Sequence, residues 1–265
     1  MTVAVSSLHI YPVKSCKGIS LTEGAVGVGG FQHDREWVIV EEDGYFITQR
    51  QFPKMALIVP EVRQGALALS APGVSELLAP IIEEGKQMKV TVWESVNDAV
   101  DQGEAAAEWL SAFIGKKVRL ARMAPGFQRK LKEKYQITGN ESVGFADSMP
   151  FLALSEESLS DLNVRLKSPV EMNRFRPNIV LSGGSAFQED SWKRIKIGEV
   201  TLRFAKQCSR CEITTVDQEK GEMGEEPLET LGTYRSKPKG IMFGADYIPE
   251  NLGTIHVGDP VHVLE

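Results

Sequence analysis

The chain has 265 residues, 42% hydrophobic and 25% charged, a globular balance that excludes bulk disorder. Its 36 acidic and 30 basic residues leave a net charge of −6, which argues against nucleic acid as a partner. Three cysteines are too few for a disulfide scaffold, and no stretch approaches the roughly 20 apolar residues of a membrane span.

The start, "MTVAVSSLHIYPVKSC", lacks a basic segment followed by an apolar core and does not read as a secretion signal. With the low cysteine count, this gives the expectation of a cytoplasmic protein with no membrane association. "VSSLHIYPV" alternates and meets Pro12, a strand end. "EWVIVEEDGYFITQR" predicts a hairpin around Asp43-Gly44. "GALALSAPG" and "MKVTVWES" are further short strands. A helix is predicted in "GEAAAEWLSAFIG", where Ala106, Trp109, Leu110 and Phe113 form one apolar stripe and Gly115 is the C-cap.

From 121 to 145 the chain turns polar and reads as a long loop or boundary, with "RKLKEK" a solvated surface stretch. "LSEESLSDLNVRL" predicts a second helix, capped by Ser155 and buried along Leu159, Leu162 and Leu166. "NIVLSGG" is a buried strand, "RIKIGEVTLRFAKQC" a hairpin around Gly198-Glu199, and "GTIHVGDPVHVLE" a third pair of strands around Gly258-Asp259. Strands outnumber helices and are joined mostly by tight turns. The fold class is therefore mainly β (α+β), a β-barrel or sandwich with a few packed helices.

The chemistry concentrates in "KQCSRCEITTVD", where Cys208 and Cys211 bracket Ser209 and Arg210. Zinc would need further ligands, and only Cys16 and the scattered His9, His33, His256 and His262 remain. A dithiol exchange site would open a helix, whereas this pair follows a strand and precedes β-branched residues. A single thiolate, favoured by Arg210, is a good ligand for a soft or high-valent metal. Two buried, inert cysteines are the plain alternative. Elsewhere Lys14, Ser15, Arg35, Asp147, Ser148, Arg174, Arg176 and Asn178 stand at predicted strand ends or loops. They offer the hydroxyls and cationic forks that hold a phosphate beside a heterocycle.

Together "YPVKSCKG", "DREW", "FRPNIV", "DSWKRIKIGEV", "CSRCEITTVD", "PLETLGTYR" and "GTIHVGDPVHV" resemble the molybdenum-cofactor sulfurase C-terminal (MOSC) proteins. Within these the resemblance is to the mitochondrial amidoxime reducing component and its bacterial relatives. It implies a β-rich N-terminal domain over 1–120, with residues 1–30 able to pack on the barrel, and a MOSC β-barrel domain over 121–265. It also implies a bound molybdenum cofactor, with Cys211 as metal ligand and catalytic residue and Cys208 as a structural neighbour. Implied cofactor-binding positions are Lys14 and Ser15, Arg35, Arg176 with Asn178, and Ser209 and Arg210. Ser148 and Met149 join them, standing where the mitochondrial members have a Thr-Ser pair. Asp246 replaces an aromatic hydroxyl; an acid near a phosphate is unfavourable, so it is expected to point away.

The implied activity is reduction of N-hydroxylated compounds (amidoximes, hydroxylamines, N-hydroxylated nucleobases) to amidines or amines, with a role in detoxification. The alternatives are a non-catalytic carrier of the cofactor or of sulfur, and a thiol redox protein. Asp147 and Asp34 are candidate acids by proximity, with salt bridging to arginine as their other role. With Cys211 committed to metal, two cysteines remain, fewer than the four of a plant-type iron–sulfur cluster. A separate ferredoxin- or cytochrome-type electron-transfer protein with its reductase is therefore expected. The mitochondrial members' anchoring segment has no counterpart in the sequence, which leads to the expectation of a prokaryotic, cytosolic monomer.

Overall fold

In the computed structural model, which describes residues 2–265, the first strand, Ala4–Ile10, buries Val5, Leu8 and Ile10. It pairs antiparallel with Ile19–Leu21 on one side and with Ile179–Ser182 on the other. Phe151–Ser155, Gly240–Pro249, Val200–Arg210, Arg194–Ile197 and Val261–Val263 follow in that order, and Ser236–Lys237 adds to Gly240–Pro249. The pairing of Phe151–Ser155 with Ile179–Ser182 is parallel, and the helix Glu156–Arg165 lies in the crossover between them. The last turn returns to the first strand. Val5 N donates to Asp259 O (3.0 Å), Gly258 N to Val5 O (2.8 Å) and Val261 N to Val3 O (2.8 Å). The sheet thereby closes on itself around Phe151, Tyr247, Ile195 and Leu202, with Phe31 edge-on to Phe151 at 4.8 Å.

A second core lies under the helix Glu104–Ile114, where Ala106, Leu110 and Ile114 meet Trp37, Leu69 and Leu120. Its walls are a four-stranded sheet (Trp37–Val40, Arg119–Met123, Ser95–Asp101, Gln87–Val92) and a three-stranded one (Val59–Arg63, Ala66–Ala71, Val74–Pro80). The helix ends at Gly115 in the left-handed conformation (φ 74°), as its sequence predicts. The molecule is mainly β with packed helices, the class expected from its strand and turn pattern.

Three details differ from expectation. Gly253–His256 and Val261–Val263 do not pair with each other; they pair with Glu23–Gly27 and Arg194–Ile197. Asp259 Oδ2 accepts His256 N at 2.8 Å and Gly258 N reaches Val5, so the turn splits the two strands between sheets. The second arm of the Asp43-Gly44 hairpin is reduced to bridges at Tyr45 and Phe46, because Tyr45 bridges to Thr91 as well as turning back on Val40 through Phe46. The strand Arg119–Met123 also runs into the polar stretch, which is otherwise loop up to Phe151, broken by one short 3-10 turn at Glu133–Tyr135.

Ser155 caps the helix Glu156–Arg165 as predicted: its Oγ accepts Ser158 N at 3.1 Å. It also donates to the buried Glu189 carboxylate at 3.0 Å, while Ser158 Oγ donates to the same carboxylate at 2.7 Å. Burial raises the pKa of Glu189 against these bonds. Ser155→Ala removes the cap and one carboxylate partner together. It is expected to cost about 2 kcal/mol, read as a lower urea midpoint at unchanged slope.

Candidate functional site

Side chains alternate across a sheet, so Phe151, Ala153, Ala245 and Tyr247 in the core send Leu152 and Asp246 to the opposite face. Register shifts between Phe204 and Lys206 and between Gln207 and Ser209 bend Val200–Arg210 there. Such bulges re-aim side chains beside functional sites. A cleft of about 160 Å³ opens over this face, and all ten positions expected to hold a cofactor line it. Lys14 and Ser15 come from the loop after the first strand, Arg35 from the turn before Trp37–Val40, and Ser148 and Met149 from the loop before Phe151. Arg176 and Asn178 precede Ile179–Ser182, Ser209 and Arg210 end the bulged strand, and Cys211 follows it.

Ser15, Arg35 and Arg176 adopt left-handed backbone conformations (φ 65°, 49° and 56°), which non-glycine residues take uncommonly. The two guanidiniums sandwich the Tyr11 ring, at 4.3 Å for Arg35 and 4.2 Å for Arg176. Arg35 Nη1 donates to Asp34 Oδ2 (2.5 Å) and Asn178 Oδ1 (3.1 Å). Arg176 Nη1 donates to Cys16 O at 2.7 Å, and burial lowers its pKa to about 10. Lys14, also buried, donates to Phe145 O (2.8 Å) and Asp147 Oδ1 (2.5 Å); burial lowers its pKa, partly offset by Asp147. Asn178 Oδ1 also accepts Leu152 N (3.3 Å) and its Nδ2 donates to His9 O (3.1 Å), so this residue ties the cleft wall together.

The two cysteines differ. Cys208 is half-buried and accepts from Arg210 Nη1 at 3.0 Å; desolvation pushes its thiol up to about 12 despite that guanidinium. Cys211 is exposed, its Sγ 3.5 Å from Arg50 Nη1. Both are free thiols, and among the described residues no three His, Cys, Asp or Glu side chains converge as a metal-binding set. Arg210 Nη2 donates to Phe175 O at 2.7 Å, and its Nε is buried without a partner. Arg176 and Arg210 thus spend their visible hydrogen bonds on neutral groups. Guanidinium donors at least half-buried and left without a carboxylate are the provision a phosphate-bearing anion requires.

Four residues escaped sequence reasoning: Arg50, Trp93, Arg129 and Lys206. Trp93 Nε1 donates to Asp147 Oδ1 at 3.0 Å, and Arg129 Nη1 donates to Gly144 O (3.0 Å) and Ala146 O (2.6 Å). Lys206 opens "KQCSRCEITTVD" and Arg129 opens "RKLKEK", yet nothing in either segment marks these side chains as facing the cleft. For Trp93 the one local signal was "VW" at the end of a strand before a turn, where it has φ 57°. Arg174 turns away to Thr215 O (2.9 Å) and Asp217 Oδ2 (3.2 Å). Asp34 pairs with Arg35 as expected, whereas Asp147 pairs with a lysine, Lys14, instead of an arginine.

Asp246 corrects an expectation: it faces the cleft. Its strand places it opposite Leu152 and Lys206, and its Oδ2 lies 3.5 Å from Lys206 Nζ. Burial raises its pKa, outweighing Lys206 and Arg210. A raised carboxyl pKa means the folded chain favours the protonated form, a contribution present at acid pH and lost as pH rises through the folded value. Asp246→Asn removes the neutral-pH penalty and is expected to raise the apoprotein Tm at pH 7.5 by roughly 2–4 °C. The gain should vanish towards pH 4, and a lower Tm at pH 7.5 would show that the Lys206 pair outweighs burial.

Family comparison identifies a MOSC N-terminal beta barrel domain at residues 2–117 and a MOSC domain at residues 140–262. The chain is 39% identical to mitochondrial amidoxime-reducing component 1 of Homo sapiens, over 98% of this chain and 82% of that protein. It is 37% identical to component 2 of Bos taurus, over 98% and 83%, and 34% identical to component 2 of Homo sapiens, over 97% and 82%. These relatives are named as mitochondrial proteins, which overturns the expectation of a cytoplasmic location. Few, unpaired cysteines report a reducing environment, and that does not single out one compartment. Among the described residues no helix is long and apolar enough to cross a membrane.

Proposed function

The chain belongs to the MOSC-domain family that includes the amidoxime-reducing components, and from that premise we propose that its cleft is the active site of a molybdenum-cofactor-dependent reductase of N-hydroxylated compounds. The observation that carries this reading is the cleft itself: five separate segments bring the buried Arg176 and the half-buried Arg210, neither paired with a carboxylate, beside one exposed thiol. The residues fit the cofactor. Arg176, Arg210 and Lys14 would hold its phosphate, Ser15, Ser148 and Ser209 offer hydroxyls along the wall, and Cys211 Sγ would ligate molybdenum. When bound, the cofactor supplies the two-electron chemistry that removes oxygen from an N–O bond.

The protein's own groups do the rest. Arg50 Nη1 lies 3.5 Å from Cys211 Sγ and places a cation beside the sulfur that would ligate the metal. Arg35, held by Asp34 and Asn178, fixes the Tyr11 stack on which Arg176 rests. Burial pushes the Asp147 carboxyl up, but Lys14, the Trp93 N–H and Arg50 together outweigh it and hold it well below the usual range. Asp147 is therefore ionised at neutral pH and positions Lys14 and Trp93 instead of delivering a proton. Electrons arrive from a separate ferredoxin- or cytochrome-type protein with its reductase, and the working unit is a monomer. A role in detoxification and a division of the chain near residue 120 belong to the same reading; the separate matches at 2–117 and 140–262 support the latter.

The test is turnover of benzamidoxime by the molybdenum-loaded full chain with an artificial reductant. Benzamidine is the expected product. Fully loaded protein that forms none would be a carrier of the cofactor.

A further inference from the structure

The molecule carries a net charge of −6, yet the mouth beside Cys211 is basic. Two hollows open from the cleft, sharing Ser148, Lys206 and Ser209 with it. One, of about 640 Å³, is lined by Arg50, Trp93, Arg129, Lys130, Lys132 and Tyr135, and reaches Cys211. The other, of about 570 Å³, is lined by Lys132, Lys134, Lys206, Lys237 and Lys239 and by no carboxylate. The first holds Glu94 and Asp147, and Asp147 is committed to Lys14 and Trp93. Among the described residues, Lys206 is the one lysine of the second hollow with an acidic partner, Asp246 at 3.5 Å. Lys237 donates to the neutral Gln207 at 2.5 Å. The "RKLKEK" stretch, a plain solvated surface from sequence alone, therefore joins lysines from two distant strands on one concave wall.

A fixed aromatic edge borders this wall. Trp93 is 44% exposed, an unusual place for an indole. Its backbone sits in the left-handed region, its ring packs edge-on to Phe46 at 5.1 Å, and its N–H is tied to Asp147. Arg50 lies over the same ring at 4.7 Å while reaching Cys211 Sγ. Any small molecule approaching Cys211 through this hollow passes an immobilised indole and a guanidinium, with five lysines ahead of it and no repelling acid in the second hollow. Concave walls of one sign focus the field and concentrate counter-charged ligands.

We propose that these two hollows form a substrate subsite that grips an anionic tail, a phosphate or carboxylate, on a ring-bearing N-hydroxylated compound, with the ring against Trp93 and the N-hydroxyl end directed to Cys211. The proposal rests on the reductase reading for the end that reacts, and on the hollows' own chemistry for the end that is held. Lysines act here as point charges without a fixed fork, so the subsite selects charge more than the identity of the anion.

The experiment compares benzamidoxime with 4-carboxybenzamidoxime, alike at the reacting group and differing in one negative charge. Calorimetry on the oxidised, molybdenum-loaded full chain without reductant gives both Kd values; turnover with an artificial reductant gives both kcat/KM values. The anionic compound is expected to bind about tenfold tighter at low salt, equivalent to about 1.4 kcal/mol. The advantage should lie in KM, shrink as ionic strength rises past 0.1 M, and collapse in Lys132→Met/Lys134→Met/Lys239→Met. These lysines are exposed, and Lys132→Glu/Lys134→Glu serves as a second variant that should reverse the preference. Equal Kd values for the two compounds in the unaltered protein would overturn the proposal. So would a preference that survives both variants; variants that instead slowed only an acidic protein donor would mark the patch as a docking face. Tight anionic binding with no turnover of either compound would support the subsite and count against the reductase reading.

Discussion

Cys211→Ser is expected to lower amidoxime reduction by more than about 100-fold, beyond what loss of a supporting residue around a metal usually costs. It should also strip molybdenum from protein made in a molybdate-fed host, while leaving the fold untouched. The fold argument is local. Cys211 has extended backbone geometry (φ −127°), and its carbonyl accepts Thr214 N at 3.0 Å and Thr214 Oγ1 at 2.9 Å. Its side chain is exposed, touching Arg50 and no hydrophobic core. Serine keeps every one of these backbone contacts, so the Tm should move by less than about 2 °C, in line with surface substitutions. Cys208→Ser is the control. Its thiol, pushed up to about 12 by burial, is neutral at working pH and serves Arg210 as an acceptor, a part a hydroxyl can take. Activity should fall less than about tenfold. Equal losses in the two variants would point to a dithiol mechanism, and equal molybdenum content would remove Cys211 as the ligand.

What the sequence made legible was whatever is encoded over a few neighbouring residues. The Gly115 C-cap, the Ser155 N-cap and the Gly198-Glu199 hairpin each depend on local backbone chemistry, and each is present. The ten cleft positions were named from motifs, not from geometry, because nothing in the spacing of Lys14, Arg35 and Arg176 shows that they meet. The cleft took its remaining members from tertiary contacts alone: Arg50 reaches Cys211 across 161 residues and Trp93 reaches Asp147 across 54. Asp246 shows a different limit. The strand Gly240–Pro249 is buried on both faces over most of its length, so no alternation of polar and apolar residues announced which way the acid would turn. Electrostatics favoured turning it away from a phosphate; the sheet register, opposite Leu152 and Lys206, decided otherwise.

Arg176→Met should separate stability from function more sharply than any other single change. In the folded chain burial lowers this guanidinium from its ordinary arginine value to about 10, a difference on the order of 3 kcal/mol between its charged and neutral forms. Arginine is protonated at neutral pH in both the folded and unfolded states, so the cost is fully present at pH 7 and would be relieved only above about pH 10. Against it stand the bond to Cys16 O, worth about 1 kcal/mol, and the stack on Tyr11, worth about as much. The sum leaves the charge slightly unfavourable to the fold on its own. Methionine removes the charge and fills the space, so apoprotein carrying it should melt within about 3 °C of the unaltered protein, or above it. Molybdenum content should nevertheless fall at least tenfold, because the lost donor is one of those left without a carboxylate partner. A buried charge that the fold would be no worse without is held there for a ligand. Apoprotein that melts well below the unaltered protein while retaining its molybdenum would show that Arg176 serves the scaffold, and the anion site would then have to be sought around Lys14 and Arg210.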